Sequence, residues 1–319
     1  MENDVQAPRP KVGKLLLGGV AMVIGVTLAA YASPASISLS SVSRFPEGLT
    51  ATADGTLYAS SLTQGGIVRV KAGSDVAEPW IKPGAFDTRS TFGVLADERS
   101  GLLWVCSNDA TPLGVAGPNA IEGAFVKGFD LATGEGKVSL PLPAKPSLCN
   151  DLTIGPDGAL YVSNTLQPQI LRLSKGASEL EVWVQDDRLK GGLDGLAFGR
   201  DGALYVNTFL SGELFRIEAK GGAAGAVTKL RTSRPLTFPD GFKADGTGFL
   251  MVEGAGPLSR VTVTDDLAEV ETVKDFAGPT GLARVGDTVW VAEGQLDYLM
   301  NPEKKGQTPT FQLRAVRAP

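Results

Sequence analysis

Residues 193–208, LDGLAFGRDGALYVNT, restate residues 149–164, CNDLTIGPDGALYVSN, at a distance of 44 residues. Each stretch reads as a strand, an Asp-Gly turn and a second strand. Apolar residues alternate on both sides of a dipeptide that supplies the positive φ a tight hairpin needs. The same unit occurs as PEGLTATADGTLYAS at 46–60, FGVLADERSGLLWVC at 92–106, FPDGFKADGTGFLMV at 238–252 and PTGLARVGDTVWVAE at 279–293. Further strand-like runs follow most hairpins, such as GGIVRV then EPWIK, and QILRL then LEVWV.

Four strands per unit at a period of about 40–50 residues are the signature of a β-propeller. Six copies predict an all-β, six-bladed propeller of four-stranded blades. The last copy is one strand short, because only TFQLRAVR at 310–317 follows its hairpin. The spare run SISLSSVS at 36–43 is expected to supply the outer strand of blade six. That closes the ring and covers a sheet edge.

Composition narrows the chemistry. The 319 residues contain no histidine, which removes Ser-His-Asp and Cys-His catalysis and any histidine base. It also argues against a catalytic zinc, whose sites are built mostly on His and Cys. The net charge of −5 argues against a nucleic-acid partner.

Arg9, Lys11 and Lys14 precede an apolar run from Leu15 to Ala30, and Ala30-Tyr31-Ala32 fits a small-x-small cleavage site. Residues 1–32 are therefore expected to be a signal peptide, or an N-terminal anchor if uncleaved. Residues 33–319 form the propeller. The folded part is expected to be exported, periplasmic or secreted, and monomeric, with membrane association only through an uncleaved leader.

In a propeller, the first strand of each blade lines a central channel, so the residues that open these strands ring one mouth. The repeat gives Glu47, Gly93, Asn150, Asp194, Asp240 and Thr280 as these positions, at steps of 40 to 57 residues. Four of the six carry carboxylate or amide oxygens. Three carboxylates converging on one mouth repel each other, and a divalent cation resolves that conflict. Calcium is the expected ion, since it takes about 6–8 oxygen ligands, with Mg2+ or Mn2+ as alternatives. Second strands return to the same mouth with Asn108, Asp109, Asn164, Asn207, Glu253 and Glu293, candidates for contacts to substrate or to the metal ligands. The long connection 108–123 is a candidate lid.

The E-G-L, N-D, D-G-L and P-D-G motifs together resemble the senescence marker protein (regucalcin) and gluconolactonase family, which is related to the diisopropyl fluorophosphatase and paraoxonase propellers. The resemblance covers residues 36 to 319. It implies that Glu47, Asn150, Asp194 and Asp240 hold a divalent metal, and that the protein hydrolyses a lactone or related ester. Asp240 is implied as the carboxylate base, with Asp194 as the second candidate. Two residues depart from the family pattern. Asp194 stands where the family usually has Asn, which adds a negative charge. Leu148 stands where some sugar-lactone members carry an Arg, two residues before the Asn. The other reading is a non-catalytic propeller that binds a ligand or protein, with a structural metal.

Cys106 and Cys149 are the only cysteines. The repeat places both at the site mouth, on adjacent blades, where they form either one disulfide or two buried thiols.

Overall fold

A computed structural model describes residues 1–2, 35–304 and 306–319. The expected leader falls almost wholly outside these residues. Within them, six antiparallel sheets succeed one another along the chain. Their inner strands are Leu49–Ala51, Ser90–Asp97, Cys149–Ile154, Leu193–Phe198, Pro239–Asp245 and Pro279–Val285. The protein is the six-bladed propeller that the repeat predicts.

Closure uses the spare strand, in shorter form than expected. Ser36–Ser38 pairs antiparallel with Gln312–Arg317, setting Ile37 opposite Leu313, and both are buried. Residues 39–43 are not strand. The amides of Val42 and Ser43 donate to the Leu39 carbonyl, forming a turn that leads from the outer edge of blade six toward the inner strand of blade one. Blade five departs from the four-strand pattern in the opposite sense. Arg231–Thr232 adds a short parallel strand beside Leu267–Asp275 and covers that blade's outer edge.

The D-G-A-L-Y motif has a local cause. Asp157 Oδ1 accepts the amide of Ala159, and its Oδ2 accepts the Tyr161 hydroxyl at 3.0 Å. Asp201 does the same for Ala203 and Tyr205. Each Asp thus fixes its own turn and anchors the tyrosine of the next strand. The rings of these tyrosines pack across the blade boundaries, Tyr161 on Phe198 at 4.9 Å and Tyr205 on Phe249 at 4.7 Å between centroids. One short motif therefore sets both the hairpin and the contact between blades. Burial and the Asp partner push both phenols up to about 12.

The inner strands are irregular where they reach the mouth. In five blades the pairing with the second strand shifts register at this point, for example between Cys149 and Leu152 and between Leu193 and Leu196. Such a bulge re-aims side chains near a site. In five blades the residue after the opening position faces its neighbours so closely that glycine is needed. A Cβ on Gly93 would lie 2.2 Å from the Asn150 carbonyl oxygen, and one on Gly281 2.7 Å from that of Glu47. This glycine ring corrects the alignment of blade two. Gly93 belongs with Gly48, Gly195, Gly241 and Gly281, so the residue at the mouth is Phe92. In blade three the glycine place is taken by Asp151.

Candidate metal centre

Glu47, Asp194 and Asp240 each bring one carboxylate oxygen to within 4.8 Å of the others. They come from blades one, four and five. None is more than 5% exposed, and Asn150 of blade three is equally buried beside them. The Asn150 amide nitrogen donates to Asp194 Oδ2 and to Thr165 Oγ1, both at 3.0 Å. With both amide protons spent, its Oδ1 is left buried and without a partner, as is Glu47 Oε2. Unpartnered buried oxygens are rare, and each requires an explanation.

The electrostatics carry the same message. Burial raises all three carboxyl pKa values, and their mutual repulsion adds to it. Glu47 feels Asp194 and Asp151, and Asp240 feels Asp194 and Glu47. Asp194 is pushed up to about 8, by burial first and then by Asp151. A divalent cation would reverse this cost. The donor set, three carboxylates and an amide oxygen with no nitrogen or sulfur, fits a hard cation such as calcium.

The four cluster residues, Asp151, Lys243 and the channel glycines of blades one, two, five and six line a pocket of about 10 Å3. The Lys243 ammonium reaches from blade five to both Asp151 oxygens, at 2.7 and 3.0 Å. The sequence reading missed this pair. Asp151 stands in the N-D motif, and nothing in the sequence pattern marks Lys243.

Next to the cluster opens a cavity of about 430 Å3, with Glu47, Asn150, Asp194 and Asp240 among its lining. Its walls include Leu62, Phe92, Leu148, Phe209, Leu296 and Leu299. A second groove of about 610 Å3 also reaches Asp240 and is lined by Phe238, Gln295, Tyr298 and Lys304. Leu296 and Met300 border both spaces. They belong to residues 294–311, the connection inside blade six, which carries the short helix Asp297–Met300. Sequence reading did not single out this segment. The expected lid, 108–123, contributes Pro112 and Leu113 to the cavity wall. It is held by Arg89, whose guanidinium donates to the carbonyls of Ala116 and Ile121 and to Thr111 Oγ1, and pairs with Asp109 at 3.0 Å.

The second-strand residues line neither space; their polar atoms bind protein. Asn108 exchanges two hydrogen bonds with the Cys149 backbone, at 2.8 and 2.9 Å. Asn207 accepts from the Gly195 amide and donates to the Asp240 carbonyl at 2.7 Å. These two asparagines tie neighbouring blades together beside the cluster. Asn164 accepts the amide of Leu148. Glu253 holds Arg234 and the amide of Thr237, and Glu293 holds the amide of Ala277 and Gln312. Cys106 and Cys149 are joined in a disulfide, with Cα atoms 5.2 Å apart.

No protein-family model matches the sequence, and no curated protein does. Solved structures do share its fold. A gluconolactonase from Xanthomonas campestris superposes with a TM-score of 0.60 at 18% identity, covering 88% of this chain and 89% of its own. The calcium-binding protein regucalcin from Agrobacterium tumefaciens gives a TM-score of 0.60 at 19% identity, covering 89% of this chain and 95% of its own. A virginiamycin B lyase from Staphylococcus aureus gives 0.58 at 18% identity, covering 84% of this chain and 79% of its own. The scaffold therefore hosts several chemistries, and the site must decide among them. The chain carries the six-bladed propeller fold of gluconolactonases and regucalcin, with a buried acidic cluster at one mouth of its channel.

Proposed function

We propose that the protein is a divalent-metal-dependent hydrolase of lactones or related esters. The observation that carries this reading is the pair of unpartnered buried oxygens, on Glu47 and Asn150, beside the Asp194 and Asp240 carboxylates in the lining of a cavity. Glu47, Asn150, Asp194 and Asp240 would hold the cation, calcium by the character of the donors. When bound, such a cation supplies Lewis-acid polarisation of the substrate carbonyl.

The chain supplies the rest. Without histidine, a carboxylate must take the proton of the attacking water. Asp240 fits this role, because it alone of the four borders both the apolar cavity and the second groove. Asn207 fixes the Asp240 backbone from the neighbouring blade. Water adds to the carbonyl carbon, the acyl C–O bond breaks, and the proton held at Asp240 passes to the departing alkoxide. The disulfide suits an oxidising compartment, in keeping with an exported protein.

Asp240→Asn tests the assignment. Lactone hydrolysis should fall by at least about 100-fold, the usual scale of a lost general base, while calorimetry still detects bound calcium. Hydrolysis that survives the change removes Asp240 from the role of base.

A further inference from the structure

The cavity beside the acidic cluster is chemically one-sided. Its polar lining consists of the four cluster residues and Thr165, and the remainder is apolar side chains and Gly192. Among the described residues, no lysine, arginine, glutamine or tyrosine lines it. The few donors present are already engaged. The Thr165 hydroxyl donates to the Leu193 carbonyl at 2.7 Å, and the Asn150 amide is spent on Thr165 and Asp194. A ligand therefore meets acceptors and negative charge at the cluster, and hydrocarbon elsewhere.

The rim continues the pattern. Leu113, Leu166, Leu210 and Met300 line this cavity and are 50%, 48%, 71% and 54% exposed. Phe238, 44% exposed, stands on the adjoining groove. Five of the nine large exposed hydrophobic side chains among the described residues thus stand on these two adjoining spaces, four of them on the cavity. Such clustering of exposed apolar surface marks a binding site.

From the composition of wall and rim, we infer that the substrate is an uncharged lactone or ester bearing an alkyl or aryl substituent. This specificity rests on the hydrolase reading above. The cluster repels an anionic substrate. A polyhydroxylated sugar lactone would bury hydroxyls against Phe92, Leu148 and Phe209 with nothing to receive their hydrogen bonds, which is costly for each group. An alkyl chain instead removes the wall and rim side chains from water. The reacting carbonyl sits at the acidic cluster while the substituent extends toward Leu166 and Leu210.

The test is a series of γ-lactones whose ring substituent grows from hydrogen to heptyl, assayed with glucono-δ-lactone on the purified calcium-loaded protein. The expected result is a rise in kcat/KM of about fourfold per methylene over the first several carbons, with glucono-δ-lactone below every alkylated member. Leu166→Asn and Leu210→Asn, at exposed positions that folding does not depend on, should flatten this slope. Turnover without dependence on chain length, or a preference for glucono-δ-lactone, overturns the inference and leaves the hydrolase reading standing. If no lactone is turned over while calcium is bound, the hydrolase reading fails. Calorimetry with the matching γ-lactams, which resist hydrolysis, then decides the cavity's preference. Affinity that rises with chain length supports it, and flat or absent binding overturns it.

Discussion

Lys243 Nζ spans the central channel to bind both carboxylate oxygens of Asp151, at 2.7 and 3.0 Å, from blade five to blade three. Asp151 occupies the place that glycine fills in the other blades, and its charge helps raise Glu47, Asp194 and Asp240. Lys243 works in the opposite direction on Glu47 and Asp194. The pair thus sets how much uncompensated negative charge the cluster carries.

Lys243→Met should therefore have two effects of opposite sign. The metal-free protein should lose about 3 kcal/mol, the low end for breaking a buried pair, because the Lys243 side chain is still 25% exposed. Calcium affinity, measured by calorimetry, should rise severalfold, because a competing cation has gone. Unchanged stability together with weaker calcium binding would refute this account of the pair.

The metal-free protein should also lose stability as pH rises. The three cluster carboxyls have folded pKa values raised above their unfolded ones, with Asp194 at about 8. Their contribution is fully present below the unfolded values near 4 and is lost as pH climbs through the raised folded values, which for Asp194 means about 8. In chelator, the unfolding temperature should fall from pH 5 to pH 8.5. Saturating calcium should abolish most of that fall, since it binds the ionised form. A flat or rising profile in chelator would contradict it.

Asn207 should prove structural in contact and functional in effect. It is fully buried and bonds the Gly195 amide and the Asp240 carbonyl. Asn207→Ala leaves both groups unsatisfied and should cost about 1–3 kcal/mol. Because the Asp240 backbone loses a tether, kcat should fall more than KM rises. A stability loss with unaltered kcat would show that Asp240 does not depend on this bond.

The disulfide should contribute through the loop it closes. Cys106 and Cys149 are 43 residues apart, a span for which chain entropy gives about 4 kcal/mol. Cys106→Ala/Cys149→Ala should lower the unfolding temperature accordingly. Equal unfolding temperatures for the double variant and the parent would count against it.

The propeller and three of its opening carboxylates could be read from the sequence because both depend on position within a repeat. Asp157 and Tyr161 recur as Asp201 and Tyr205, and each copy fixes its own turn and its neighbour's packing. Blade two was misread by one residue for a related reason. Gly93 matches a channel glycine, while Phe92, the residue at the mouth, matches nothing polar. The Lys243–Asp151 pair was invisible because its partners are 92 residues apart and neither fits the periodic pattern. The same holds for Leu296 and Met300, which lie in a connection without a counterpart in other blades. Asn108, Asn164, Asn207, Glu253 and Glu293 were located at the mouth, but a sequence does not say whether a polar side chain at a strand end faces a ligand or a backbone. Here the backbone, with a few side chains, occupies all five.

On the proposed reading, Glu47, Asn150, Asp194 and Asp240 hold a divalent cation on which ester hydrolysis depends. The most direct measurement is turnover of an alkyl γ-lactone by the purified protein, first in chelator and then with calcium restored. Turnover should vanish in chelator and return with calcium, and Glu47→Gln should weaken the calcium dependence of that return. Hydrolysis that continues undiminished in chelator would contradict the account.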